Sequence, residues 1–237
     1  MKKVVIIPTY NEKENAPLII AAVMQLEGDF HVLIVDDGSP DGTAQIVKDL
    51  ITNEYTGRLH IIERSGKLGL GTAYITGFKW ALAQGYDYIF EMDADFSHKP
   101  ADLLRLFDAC HNGGADLSVG SRYVKGGKLE NWPVDRVFIS KGASYYTRLI
   151  TWMPVRDTTA GFMCYKRKVL EALPLDEIRF IGYAFQIEMK YRSWKKGFKI
   201  KEIPITFTDR VLGASKMSKG IVKEAVLGVW KMKWFIK

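Results

Sequence analysis

The sequence predicts an α/β fold, a mostly parallel sheet with helices on both faces. Two observations carry the prediction. Short apolar runs alternate with segments of helical apolar spacing, joined by short connections, as repeated strand–helix units require. Three of the apolar runs end in polar clusters, and the carboxyl ends of strands are where α/β sheets hold their ligands. These are Pro8-Thr9-Tyr10-Asn11-Glu12, Asp36-Asp37-Gly38-Ser39 and Asp93-Ala94-Asp95.

Val4–Pro8 is the first strand. Residues 14–26 follow with helical spacing at Leu18, Ile19, Ala22, Val23 and Leu26. His31–Val35 is the second strand. Pro40-Asp41-Gly42-Thr43 then turns the chain, and Asp41 or Thr43 can cap a helix that runs through Leu50. Leu59–Glu63 is the third strand, and Gly66, Gly69 and Gly71 lead into a helix over Thr72–Gln84. Tyr86–Met92 is the fourth strand. Pro100 opens a helix to Cys110, as proline does in a first turn, and Asp116–Gly120 is a fifth strand. Beyond it the pattern loosens. Residues 121–160 are rich in Gly, Arg, Lys and aromatics. Gly161–Tyr165 reads as a strand, Ala184–Lys195 as a helix, and Phe198–Ile203 as a strand ended by Pro204. Residues 206–218 are a polar, basic loop and 219–236 a last helix. No linker interrupts the chain, so 1–237 is expected to be one domain. Within it, 1–120 would be a nucleotide-binding half, 121–218 an acceptor half, and 219–237 a C-terminal amphipathic helix.

Composition narrows the function. A chain of 237 residues with 47% apolar content can bury a sizeable core. No apolar run reaches the roughly 18 residues of a membrane span, and the N-terminal run meets Pro8 too early for a signal peptide. Cys110 and Cys164 form no disulfide framework and have no metal-ligand spacing, which suits small core residues in a reducing cytoplasm. The formal net charge of +7 suits nucleic acid, an anionic membrane surface or a polyphosphate ligand. Three converging acid clusters exclude nucleic acid, which needs a continuous basic surface.

The stretch Asp87–His98 organises the rest. A buried strand runs into Glu91, Asp93 and Asp95, and alternation along a strand would point Asp93 and Asp95 the same way. Two such carboxylates need a positive group between them, and a hard divalent cation such as Mg²⁺ or Mn²⁺ prefers oxygen ligands. Asp37 can accept hydrogens from a base or ribose, and Tyr10 can stack on a base. Gly66-Lys67-Leu68-Gly69-Leu70-Gly71 is similar to a glycine-rich phosphate loop but lacks its spacing, so it either meets a donor through its amides or turns the chain into a helix.

Pro8–Glu12, Val35–Thr43 and Asp93-Ala94-Asp95-Phe96-Ser97-His98 resemble the inverting nucleotide-sugar glycosyltransferases of GT-A, Rossmann-like fold. Gly120–Tyr123, Asn131-Trp132-Pro133, Ser140–Ala143, Thr159–Phe162, Gly182–Glu188 and Phe207–Lys216 resemble the dolichyl- or polyprenyl-phosphate mannose synthases. The resemblance runs from Val4 to about Lys219. It implies donor contacts at Pro8, Tyr10, Glu12, Val35, Asp37, Asp93 and Ala94. It implies metal ligands at Asp93, Asp95 and Ser97, the last a position where some relatives carry Gln. Asp95, Arg122, Arg210 and Lys216 would form the catalytic group, with the three cations on phosphates, Arg210 and Lys216 also touching the donor, and Arg136 as a further candidate. Arginine forks suit phosphate oxygens and lysine supplies a point charge.

The implied activity is metal-dependent transfer of mannose from GDP-mannose to a polyprenyl or dolichyl phosphate by a cytoplasmic enzyme on a membrane surface. A lipid-phosphate glucosyltransferase using UDP-glucose is the nearest alternative. A polysaccharide enzyme with a hydroxyl acceptor would need a carboxylate base near Glu188 or Asp157. A non-catalytic nucleotide-binding module is the remaining class. Many relatives continue into membrane spans or use anchoring partners. Here Trp230, Trp234 and Phe235 among lysines suit a helix at the membrane interface, or one docked on the core.

Overall fold

The structure is a computed structural model that describes residues 1–209 and 228–236. A seven-stranded sheet is built from β1 (Lys3–Thr9), β2 (Phe30–Asp36), β3 (Leu59–Glu63), β4 (Tyr88–Glu91), β5 (Leu117–Ser121), β7 (Met163–Lys166) and β8 (Ile200–Pro204), in the order β3-β2-β1-β4-β7-β5-β8. All neighbours run parallel except β7, which is antiparallel to both β4 and β5. A short parallel pair joins β6 (Lys128–Glu130) to β9 (Thr206–Thr208).

Side chains alternate across the strands and so build two cores. Val5, Ile7, Val32, Ile34, Phe90 and Cys164 face one side, where α1 (Asn15–Met24), α2 (Thr43–Asn53) and α4 (Asp102–His111) cover them. Val4, Ile6, Leu33, Val35, Ile89, Leu117 and Tyr165 face the other, under α3 (Leu70–Ala83), α6 (Arg167–Ala172) and α7 (Tyr183–Lys195). At Gly77 a Cβ would stand 2.6 Å from Ile6, so glycine there lets α3 lie close on β1.

Several elements differ from the sequence reading. In α1 the buried face is Ala16, Ile19, Ile20, Val23 and Met24, while Leu18 is exposed, so the apolar stripe is turned by one residue. Gly42, at φ 90°, occupies the cap of α2, and Asp41 serves the turn by accepting from the Thr43 amide and hydroxyl at 3.1 and 2.6 Å. The strand pattern ends at Glu91, so Asp93 and Asp95 stand on the loop after β4 and not on the strand. The last β-rich stretch before α7, β7, is inserted in reverse between β4 and β5.

Residues 121–160, read as irregular, contain the long helix α5 (Val134–Thr151). Its apolar side chains occupy both faces and Gly142 interrupts them, which hides the helical period. Val134, Phe138, Tyr145 and Leu149 are exposed and lie within about 60° of one another around the axis at about 100° per residue, and Trp152, at the left-handed end of the helix, is exposed as well. Residues 228–235 are helical. Val229, Met232 and Ile236 pack with Ile150, Met153, Ile187 and Tyr191, while Trp234 and Phe235 face outward at 75% and 64% exposure. One face of this segment is docked on the core, as one of the two readings expected; the opposite face exposes its aromatics. No helix among the described residues is long and apolar enough to cross a membrane.

Candidate active site

The carboxyl ends of β2, β1 and β4 lie side by side, because Thr9 pairs with Asp36 and Ile6 with Glu91. The acids there have different tasks. Asp36 accepts from the Thr9 hydroxyl (2.8 Å) and from the Ser39 amide and hydroxyl (2.8 and 2.6 Å), so it ties the first two strand ends together. Ser39 in turn receives the Asn11 amide, and Thr43 receives the Glu12 amide. Asp37 is held by Arg64, whose Nε and Nη2 reach Oδ1 at 2.6 and 2.5 Å while Nη1 donates to Thr72. Burial nevertheless raises the Asp37 carboxyl above its ordinary value, Arg64 opposing it. Arg64 carries no motif in the sequence; only the fold brings it to an acid 27 residues away. Tyr10 is half-buried with the Lys67 ammonium 5.2 Å from its ring centre, and Glu12 accepts from Asn15. Val35 is fully buried, so only its backbone can meet a donor there. Pro8 is half-buried and Ala94 buried.

Beside these strand ends opens a cavity of about 510 Å³. It is lined by Asp93, Asp95, Ser97 and His98, by Arg122, Trp132, Asp135, Arg136 and one face of α5, and by Gln186 and Phe207. Pro8, Tyr10, Glu12, Val35, Asp37 and Ala94 are not among its lining residues; they sit on the adjoining strand ends. Arg210 and Lys216 lie outside the described residues.

The Ser97 amide and hydroxyl both donate to Asp95 Oδ1, at 3.1 and 2.6 Å, so Ser97 braces the carboxylate. Asp93 has His98 Nδ1 3.9 Å from its Oδ2. His98 is buried against Phe162 (ring centres 4.7 Å apart), and burial lowers its pKa to about 4, so the ring is neutral. Two carboxylates and a hydroxyl make an all-oxygen donor set, which fits a hard divalent cation. Among the described residues no group of three or more His, Cys, Asp and Glu could hold a metal, so such a cation would need oxygen from a ligand to fill its shell.

The cationic wall is preorganised. Arg122 forms a forked pair with Asp157 (Nε to Oδ2 2.8 Å, Nη2 to Oδ1 2.6 Å), and its amide adds a third bond to the same carboxylate. Burial alone would raise the Asp157 pKa; the Arg122 charge and hydrogen bonds overcome it and hold the carboxyl below the ordinary range. Arg136 stacks 4.0 Å above Trp132 and pairs with Asp209 at 3.0 Å. Glu188 is fully buried, taking the Arg179 and Phe180 amides and Arg192 Nε, so it is a structural anchor. Behind the cavity lies a buried network. Glu91 accepts from Tyr165 (2.8 Å) and Gln186 (2.6 Å), and burial lifts its pKa to about 7. Lys190 Nζ, lowered to about 8 by burial, gathers the carbonyls of Thr158, Ala160 and Gln186. The Gly71 amide, in the glycine-rich loop, donates to Ile181 O, and a Cβ at Gly71 would meet Phe185 at 2.8 Å; that glycine serves helix packing.

An open α/β sheet with paired acids beyond a strand end, and with arginines lining the same cavity, defines a nucleotide-sugar enzyme of GT-A type. The chain belongs to Glycosyl transferase family 2, whose profile matches residues 4–173. It is 47% identical over 228 residues to the polyprenol monophosphomannose synthase of Mycolicibacterium smegmatis, covering 96% of this chain and 85% of that protein. It is 46% identical over 229 residues to the undecaprenyl-phosphate mannosyltransferase of Micrococcus luteus, covering 97% and 93%. The fold is shared with glucosyl-3-phosphoglycerate synthase from Mycobacterium tuberculosis, solved with Mn²⁺, UDP and glucosyl-3-phosphoglycerate (TM-score 0.70, 17% identity, 100% of this chain and 81% of that one). The chain is therefore a glycosyltransferase.

Proposed function

We propose that the enzyme transfers mannose from GDP-mannose to a polyprenyl or dolichyl phosphate, with inversion, at the cytoplasmic face of a membrane. The observation that carries the acceptor class is the state of the carboxylates. A hydroxyl acceptor needs a base, and the two acids expected to supply it are engaged: Asp157 in the forked pair with Arg122, and Glu188 in three hydrogen bonds. A lipid phosphate, with a second pKa of about 6, is mostly dianionic at neutral pH and needs no base. Its oxygen would attack the anomeric carbon while the bond from that carbon to the diphosphate breaks, releasing GDP. Arg122 and Arg136 on the cavity wall, and Arg210 and Lys216 from the sequence, would hold the phosphates. Asp93, Asp95 and Ser97 would hold Mg²⁺ or Mn²⁺, which neutralises the leaving diphosphate when bound. Asp37, fixed by Arg64, would take hydrogens of the base or ribose, with Pro8, Tyr10, Glu12, Val35 and Ala94 shaping the donor site.

The mannosyl transfer to lipid phosphate named for the two relatives supports this reading. The membrane surface is supported by the exposed stripe on α5, flanked by Lys141 and Arg148, together with Trp234 and Phe235. α5 lines the cavity with Ser140, Ala143 and Thr147 on its other side, so a lipid at the stripe is one helix thickness from the reacting groups. The test is a panel of labelled nucleotide sugars with a short polyprenyl phosphate. Lipid-linked mannose from GDP-mannose is expected. Preferential use of UDP-glucose would overturn the sugar. Asp135, exposed at the cavity mouth, separates the acceptor classes: Asp135→Asn should retain most activity on a lipid phosphate, and loss of all turnover would point to a base and a hydroxyl acceptor.

A further inference from the structure

Gln186 is 3% exposed, and it is the one side-chain amide among the described residues that line the cavity. Its Nε2 donates to Glu91 Oε2 at 2.6 Å. The other Glu91 oxygen already accepts from the Tyr165 hydroxyl at 2.8 Å. Ionised, Glu91 offers only acceptors, so a flipped amide would set oxygen against oxygen. With Glu91 ionised the amide therefore lies with its nitrogen toward Glu91 and its oxygen away from it. The main chain at Gln186 is held as well, since its carbonyl is gathered by Lys190 at 3.1 Å. Gly161 leaves room for the amide, as a Cβ there would stand 3.2 Å from Nε2. Yet Gln186 Oε1 is buried with no hydrogen-bond partner among the described residues. A buried acceptor left unmade costs stability, so an orphan on a cavity wall points to a donor group brought by a ligand.

The charges of the cavity say which part of the ligand this is. Asp93 and Asp95 suit a cation-bound diphosphate, and Arg122 and Arg136 suit a second phosphate. What lies between two phosphates in glycosyl transfer is an uncharged polyol. A neutral acceptor of fixed direction discriminates among polyols by the position of one hydroxyl, because a ligand lacking that hydroxyl leaves the site unpaired.

We propose that Gln186 is a specificity-determining residue that accepts a hydrogen bond from one hydroxyl of the transferred sugar, with Glu91 as the positioning residue that sets its amide. This rests on the glycosyl-transfer reading above. The experiment compares wild type, Gln186→Met and Gln186→Leu on GDP-mannose and on its 2-, 3-, 4- and 6-deoxy analogues, with thermal melts and GDP affinity as checks of folding and nucleotide binding. Gln186→Met, close in shape, is expected to lose about tenfold in kcat/KM on GDP-mannose, the worth of one hydrogen bond. On a single deoxy analogue, wild type and variant should perform alike, and GDP affinity should not change. Glu91→Gln, which frees the amide to turn, should show a smaller loss with the same analogue pattern. An equal loss on every analogue would assign Gln186 to packing and overturn the proposal, as would no loss at all. If the wild type uses another nucleotide sugar, the mannose reading fails by that result alone, and the deoxy series of that sugar decides Gln186.

Discussion

At the scale of residues, the acids of the sequence sort into those that build the loops and those that face the cavity. Asp36, Asp157, Glu91 and Glu188 serve the fold through their hydrogen bonds, and Asp93 and Asp95 line the cavity, Asp95 held by Ser97. Asp95→Asn, which keeps the Oδ1 acceptor for Ser97 but removes the charge, is expected to lower turnover at least about a hundredfold and to leave the melting temperature nearly unchanged. Wild-type turnover that survives an excess of chelator would refute the metal role of both. The Asp-x-Asp spacing was legible in the sequence; that Ser97 donates to Asp95, and that Arg64 orients Asp37, was not, because both depend on how loops close in three dimensions. A second cluster sits away from the cavity. The Tyr86 hydroxyl meets His31 Nδ1 at 2.9 Å and His60 Nε2 at 3.3 Å, and burial lowers both imidazoles below 6.5. The folded state then holds them neutral while the unfolded chain binds protons. Stability from this cluster is fully present above about 6.5 and is lost as pH falls through the depressed folded values. Melts at pH 7.5 and 5.5 should show a smaller acid loss in the His31→Gln/His60→Gln double variant than in wild type; an unchanged loss would remove the cluster from the acid response.

At the scale of elements, α5 decides how the enzyme would meet its acceptor. The helix was not legible, since its two faces serve different surroundings and no single apolar stripe emerges from the sequence. A lipid cannot leave its bilayer cheaply, at about 0.8 kcal/mol per CH₂, so a protein acting on it must come to the surface. Phe138→Glu with Leu149→Glu places two charges in the exposed stripe, far from the core. This variant is expected to stay folded and to lose most sedimentation with anionic liposomes at low salt, while binding GDP as before. Sedimentation equal to wild type would move the contact elsewhere. Raising the salt should weaken wild-type binding by screening Lys141 and Arg148 but leave the aromatic share.

At the scale of the molecule, the parallel βα series through β5 was legible because each unit is local: strand, helix and turn residues lie within about 30 positions of one another. The reversal of β7 was not, since a four-residue strand carries no mark of direction. Its place matters more than its length. It fills the gap between β4 and β5, so Tyr88, Ile89 and Phe90 find their second strand only in Lys166, Tyr165 and Cys164. A fragment of residues 1–121 is expected to aggregate at concentrations where the whole chain is monodisperse, because it leaves an apolar strand edge unpaired. A soluble fragment with a cooperative melt would show that the edge needs no cover.

The same insertion sets a schedule during synthesis. Glu91 pairs with Met163, 72 residues downstream. At roughly 5–20 residues per second a ribosome needs about 4–14 s to deliver that partner. For those seconds the half carrying the acids waits with an open edge beside its nascent chain. The cavity, whose arginines follow β5, is thus completed late, and a ribosome stalled before residue 163 would present chaperones with a half-built sheet.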